Sequence, residues 1–184
     1  MQTISLTQGY VALVDDEDYA ALMQYKWFAL VQHRAYGRKV IYAKRTAPNY
    51  VKPRVISMQK QLLQPEAGLI VDHINGDGLD NRRNNLRIAT PQQNTYNRAK
   101  SEGHKGKPCL SIYKGVTKKK DTATTWKSTN GEYTVIEVGK WIAGFTKEGK
   151  RHYGGSFDNE IDAAKAADKL AIALYGEFAK LNFP

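Results

Sequence analysis

Four polar residues within one short stretch, Asp72, His73, Asn85 and Asn94, have the types and the spacing to carry out hydrolytic chemistry. The carboxylate of Asp72 and the amide oxygen of Asn94 are hard oxygen donors. Such a pair, completed by waters and a substrate phosphate, suits one magnesium (or manganese) ion, which rarely takes an all-protein cage. His73 is the one side chain of the four that titrates near neutrality, so it can accept a proton from an attacking water. Asn85 is a candidate to accept a hydrogen bond from the other imidazole nitrogen and so fix the tautomer. Together these groups imply metal-assisted cleavage of a phosphodiester, the cation holding the phosphate and leaving oxygen while the histidine activates the nucleophile.

The elements that must position them can be read from the flanking residues. Leu69-Ile70-Val71 is an apolar run that ends in Asp72-His73, a Gly- and Asn-rich loop follows, and Leu86 to Ala89 is a second short run. Thr90-Pro91 then opens a helix, with a capping hydroxyl before a proline at the first helical position. The expectation over 66–100 is therefore strand, loop, strand, helix. Adjacent residues of a regular strand face opposite ways, so Asp72 and His73 share a site only if the strand ends or bulges there. Arg82, Arg83, Arg87 and Arg98 are the natural DNA-binding clamps, because guanidinium forks match phosphate oxygens. Asn97 falls three residues after Asn94 on the same helix face, in a position to support the site. Taken singly, an Asn-rich loop is ordinarily a turn and a lone histidine is ordinarily structural; it is the whole string that favours chemistry.

That string is Asp-His, then Asp-Asn-Arg-Arg-x-Asn-Leu-Arg, then Gln-Asn-x-x-Asn-Arg, over Ile70 to Arg98. It resembles the HNH (ββα-metal) endonucleases in the variant whose last position is Asn, and most closely the phage and intron-encoded homing enzymes. The resemblance implies Asp72 and Asn94 as metal ligands, His73 as general base and Asn85 as the residue that orients it. It also implies one active site per chain, so that a monomer nicks one strand of double-stranded DNA. Thr3 to Tyr10, with Val-Asp-Asp-Glu-Asp-Tyr, resembles the N-terminal extension often found before this variant. A histidine commonly stands in those relatives where this chain has Gln59.

Composition narrows the setting. The chain of 184 residues can bury a real core, in one large domain or two small ones. It has no run of 18 apolar residues and no cleavable signal pattern, so a cytoplasmic protein without a membrane partner is expected. The single Cys109 leaves no basis for a disulfide framework or a Cys-rich zinc site. Residues 1 to 25 hold four acids, Asp15, Asp16, Glu17 and Asp18, and no Lys or Arg, so the net +10 of the chain leaves +14 on the remainder. A basic chain of this size usually meets nucleic acid or an acidic surface.

Read in order, residues 1–65 form a β-rich extension. Tyr10 to Val14 is a strand, Asp15 or Asp16 caps a helix through Tyr25, Trp27 to Val31 and Val40 to Lys44 pair as a hairpin, and Ile56 to Leu63 is a short helix. That hairpin, with Arg34, Arg38, Lys39, Lys44 and Arg45, is either a DNA-backbone contact or a purely structural layer. Residues 66–100 hold the motif, and the polar, basic stretch 101–111 reads as a linker. Residues 112–184 form a second module of three strands and a helix that begins near Asp158 and ends at Gly176. Its Tyr-Lys-Gly-Val, Lys-Trp-x-Ala-Gly-Phe, Gly-Gly-Ser-Phe-Asp and Ala-Ala-x-Ala-Ala-Asp segments and its Lys-Leu-Asn-Phe-Pro ending resemble the Apetala-2/ethylene-response-factor DNA-binding domain. In that family the sheet lies in the major groove. By position its DNA-binding residues would be Lys114, Thr117, Lys119, Arg151 and Tyr153, with Trp141 partly structural. Gly144 and Thr146 replace a Glu and an Arg of the plant domains, so that base code does not transfer. An insertion over 120–139 is either a hairpin or a loop.

The fold class expected is α+β, and the function is a site-directed, metal-dependent DNA endonuclease acting as a monomer. A DNA-binding regulator with an inactive nuclease module is the alternative. An RNA-directed or nonspecific nuclease fits less well, since a groove-reading module has little use there.

Overall fold

A computed structural model describes residues 1–33, 39–48, 52, 54–100, 103–104, 107–119, 124–127, 133–136 and 139–184. The chain is α+β, built from small antiparallel sheets, and it divides into two compact units, Met1–Arg98 and Ala99–Pro184.

In the first unit β1 (Gln2–Ser5) and β2 (Val11–Val14) form a two-stranded ladder that leads into α1 (Asp16–Leu22). Alternate residues of β2 point inward, so Ala12 and Val14 are fully buried with Ile4, Leu22, Trp27, Ala43 and Met58. The Trp27 indole N–H donates to the Leu22 carbonyl, 2.8 Å, which satisfies a buried donor at the end of α1. The helix thus stops short of Tyr25. The expected hairpin forms as β3 (Phe28–His33) against β4 (Lys39–Thr46). Val55–Ser57 joins it as β5, so α2 (Met58–Leu63) starts two residues later than its sequence suggests. Of the proposed basic contacts on this hairpin, Arg34 and Arg38 lie outside the described residues. Arg45 stacks on the Tyr25 ring at 4.0 Å and bonds Gln61, which favours the structural reading for it.

The motif forms in the order read from the sequence: β6 (Ile70–His73), β7 (Leu86–Ala89) and α3 (Pro91–Tyr96). Thr90 caps α3 reciprocally with Gln93, each side chain bonding the other's backbone N–H. The platform and the motif belong to one unit rather than two, because β2 continues its pairing into the loop. Leu13 N–H donates to the Leu79 carbonyl and Asn81 N–H to the Leu13 carbonyl, at 2.9 and 2.8 Å.

In the second unit β10 (Val116–Lys118), β13 (Trp141–Lys147) and β14 (Lys150–Phe157) form a sheet in the order β10-β13-β14. Helix α4 (Glu160–Tyr175) packs on it through Ala163, Ala164 and Ala167, whose small side chains bury against Val116 and Ala143. Asn159, not Asp158, is its cap, accepting from Ile161 N–H at 2.7 Å. The stretch expected as a linker contains β8 (Gly103–His104) paired with β9 (Lys107–Pro108). Within the 120–139 insertion β11 (Thr124–Lys127) and β12 (Tyr133–Ile136) pair antiparallel, which selects the hairpin of the two readings.

One loop position is fixed by space alone. A Cβ on Gly78 would land on the Ile41 carbonyl oxygen of β4 and against the Tyr42 ring. Gly78→Ala should therefore cost about 2 kcal/mol or more in chemical denaturation of the full chain; an unchanged midpoint would mean that the loop moves freely off the hairpin.

Candidate functional site

Asp72 and His73 close a regular ladder with no bulge: Asp72 stands opposite Arg87 and His73 opposite Leu86. The strand ends at His73, where Gly76 N–H bonds its carbonyl at 2.9 Å. Both side chains are only 6% exposed, and they meet different partners, as alternation requires. The Asp72 carboxylate receives Arg87 Nε and Nη2 at 3.0 and 2.8 Å, both on Oδ2, and Asn97 Nδ2 on Oδ1 and Oδ2 at 3.2 and 3.0 Å. The same Asn97 amide donates to the carbonyls of His73 and Ile74, at 2.9 and 3.2 Å. One side chain at the end of α3 therefore ties the carboxylate to the strand terminus.

On the other side His73 Nε2 faces Asn81 Oδ1 at 3.4 Å, and its ring lies 6.1 Å from that of Tyr42. Asn81 is fully buried, and its Nδ2 donates to the Leu79 carbonyl at 3.2 Å. A carbonyl accepts only, so the amide must present its oxygen to the ring, and Nε2 is then the protonated nitrogen. Nδ1 keeps the lone pair. Burial lowers the His73 pKa below its ordinary 6.5, against the opposing effects of the Asn81 hydrogen bond and of Asp72, Asp77 and Asp80.

Asn85 does not reach the imidazole. Its Oδ1 accepts from Asn75 N–H at 3.0 Å, and its Nδ2 donates to Asn75 Oδ1 and the Asp80 carbonyl at 3.1 and 2.8 Å. It staples the loop that carries Asn81. The sequence offers asparagines at 75, 81, 84 and 85, and spacing alone does not select which one faces the ring. Asn94 lies half-buried in α3, its N–H closing the first turn on the Thr90 carbonyl at 3.1 Å.

Of the four arginines expected to clamp phosphate, three hold carboxylates. Arg82 makes a fork on Asp80, 2.8 and 2.7 Å, and Arg83 makes one on Asp18 at 2.8 and 2.7 Å while its N–H bonds Asp15 at 2.7 Å. Arg87 holds Asp72. The acidic run at 15–18 thus has a purpose that composition did not reveal: it anchors the loop, and Asp15 spends its carboxylate there rather than on α1. Arg98 is exposed.

A divalent cation would have to rest here on few protein ligands. Among the described residues no three His, Cys, Asp or Glu side chains converge. One carboxylate with carboxamide oxygens nevertheless matches the habit of magnesium, which keeps waters and takes phosphate oxygens. Asp72 Oδ1, with one amide donor, retains capacity for such an ion.

In the second unit the outer face of the sheet carries Thr117, Arg151 and Tyr153, all exposed, and Lys119 is exposed just past β10. Trp141 packs against the core with Lys118 Nζ 5.5 Å from its ring centroid. Gly144 leaves room for Arg151, since a Cβ there would lie 3.0 Å from Nη2. Lys114 is held through its backbone by Asn182, 2.7 and 3.1 Å, which in turn is gripped by Asp168 of α4. That chain of bonds gives the Lys-Leu-Asn-Phe-Pro ending its structural meaning. Burial and the nearby Lys180 push the Lys114 pKa down to about 8.

Residues 64–96 match the family model described as HNH endonuclease, and they span β6, β7 and α3 of this site. This stretch is an HNH endonuclease domain, and the chain is an enzyme of the DNA endonuclease class. Over 175 residues the chain is 26% identical to an uncharacterized HNH endonuclease of Acanthamoeba polyphaga mimivirus, covering 95% of this chain and 76% of that one. Over 91 residues it is 33% identical to an AP2-like ethylene-responsive transcription factor of Arabidopsis thaliana, covering 47% of this chain and a fifth, 20%, of the factor. No solved structure matches it.

Asp80 is the test of the loop. Its carboxylate, 3% exposed, is held below its ordinary 3.8 chiefly by the Arg82 hydrogen bonds. A depressed carboxylate contributes stability above its unfolded pKa and loses it as pH falls through the folded value. Asp80→Asn should cost about 1–3 kcal/mol at neutral pH, with the difference from wild type shrinking below pH 3.8. Thermal melts across pH would show this; a gap constant down to pH 2 would discount the pair.

Proposed function

We propose that the chain is a site-directed, metal-dependent DNA endonuclease of the homing type that nicks one strand, with the ββα-metal core at 66–100 and an Apetala-2-like reading module at 112–184. The observation that carries this reading is that a buried carboxylate and a buried, lowered-pKa imidazole stand next to each other in sequence at the end of β6, inside the matched residues, each held by its own amide partner. The alternative, a regulator with an inactive module, would need no such pairing at the strand end.

Asp72 and Asn94 are the residues that would hold a magnesium or manganese ion, which when bound supplies charge to the phosphate and leaving oxygen. His73 works from Nδ1: with Nε2–H directed at Asn81 Oδ1, the lone pair on Nδ1 takes the proton of the attacking water. The low pKa keeps that nitrogen unprotonated at neutral pH. Asn81 fixes the ring and the tautomer. Asn85 acts one step further out, by stapling the loop that presents Asn81. Asn97 positions the Asp72 carboxylate.

Binding is shared. Arg98 in the first unit, and Lys114, Thr117, Lys119, Arg151 and Tyr153 in the second, are the groups assigned to DNA contact, with Trp141 supporting the sheet. Double-stranded DNA suits this surface because an antiparallel sheet fits the major groove and its Arg can read a guanine edge. Two weak modules on one duplex raise effective affinity without new contacts.

His73→Ala should abolish nicking of supercoiled plasmid in magnesium, by at least about a hundredfold, while DNA affinity stays within a few-fold; loss of both would make the residue structural. Deleting residues 108–184 should leave slow nicking without site preference, mapped by sequencing the ends. Retained preference would place the reader in the N-terminal unit. Raising pH through about 8 should weaken DNA binding by wild type and not by Lys114→Arg; parallel curves would remove Lys114 from the interface.

A further inference from the structure

Arg87 is a third kind of arginine in this unit. Arg82 and Arg83 hold Asp80 and Asp18, carboxylates with no other proposed task, whereas Arg87 holds the carboxylate proposed to bind the cation. It is Asp72's register partner across the β6–β7 ladder. Both its Nε and its Nη2 go to Oδ2, which also accepts from Asn97, so that oxygen has three N–H donors while Oδ1 has one. The pair is enclosed, with side-chain exposures of 10% and 6%, so water screens it little. A guanidinium and a divalent cation on one carboxylate repel each other at contact range. An unpaired carboxylate in that position would be strongly destabilising, so the fold needs a positive charge there at all times.

We propose that Arg87 is a displaceable counter-ion: its guanidinium occupies Asp72 while the cation is away, and turns to a phosphate of the bound DNA when a divalent cation takes its place. The inference rests on Asp72 being a cation ligand. Arg suits both tasks, since its planar fork matches carboxylate and phosphate alike and its long stem can swing from a fixed strand position. The residue read from sequence as a phosphate clamp is then a clamp stowed on its own metal ligand. One charge thus serves two acidic groups in turn, the Asp72 carboxylate and a phosphate of the DNA.

The test is calorimetric titration of the full chain with manganese alone, comparing wild type, Arg87→Met and Asp72→Asn, each checked for folding by circular dichroism. Arg87→Met should bind manganese at least about tenfold more tightly than wild type, because a competing positive charge has gone, and Asp72→Asn should bind none. A dissociation constant for Arg87→Met within twofold of wild type, or weaker, overturns the proposal. Undiminished binding by Asp72→Asn instead refutes the ligand assignment beneath it. Where Arg87→Met fails to fold, Arg87→Lys keeps the charge without the fork and should bind manganese a few-fold more tightly; equality with wild type overturns the proposal. The phosphate half is read from salt dependence of DNA binding in a His73→Ala background with manganese present. Adding Arg87→Met should reduce the salt slope by about 1, and an unchanged slope would show that the guanidinium does not reach the DNA.

Discussion

Alternation along an extended strand is the constraint on which the first unit depends. Two neighbouring residues, Asp72 and His73, cannot face the same way on a regular ladder, and this ladder is regular to its last pair. The fold answers by ending the strand at His73 and surrounding the terminus from both sides. Asn97 reaches in from the end of α3 to hold the carboxylate and the two carbonyls beyond it, while the 75–85 loop folds back to set Asn81 against the ring.

The loop is held by charge and amide bonds more than by apolar packing. Asp80 is the hub, taking a fork from Arg82 and an amide from Asn75, and Asn85 closes the circuit through the Asp80 carbonyl. Arg83 then ties the whole to Asp15 and Asp18. Polar networks of this kind specify one arrangement when fully satisfied and cost heavily when one member is lost. Among the described residues, Gln59 Oε1 on α2 is a buried oxygen with no hydrogen-bond partner, at the position where the resembling nucleases commonly carry a histidine.

Local signals made most of the elements legible. The Thr90-Pro91 start of α3, the β6 and β7 runs, and the hairpin of β3 and β4 follow from capping, alternation and turn chemistry. Boundaries moved where pairing or capping overrode pattern, as with Val55–Ser57 joining a sheet and Asn159 capping α4. The sequence names candidate site residues by type, and their wiring is not written in it. An arginine looks the same in sequence whether it faces a phosphate or a carboxylate, and the partners of Arg83 lie more than sixty positions away. One asparagine among four was chosen by a buried hydrogen bond that spacing does not encode.

Helix α3 has six residues, too few to persist by its own backbone bonds. It exists because Thr90 and Gln93 cap it and because it springs directly from β7. Asn97, at its end, is therefore delivered to Asp72 only after both strands have paired. During synthesis the acidic anchor at 15–18 emerges first and the amide that secures the carboxylate emerges last of the unit. A nascent chain shorter than 97 residues would carry the histidine and the carboxylate yet lack the amide that bonds the carboxylate. The amide that fastens the carboxylate is thus the last contact of this unit to become available as the chain is made.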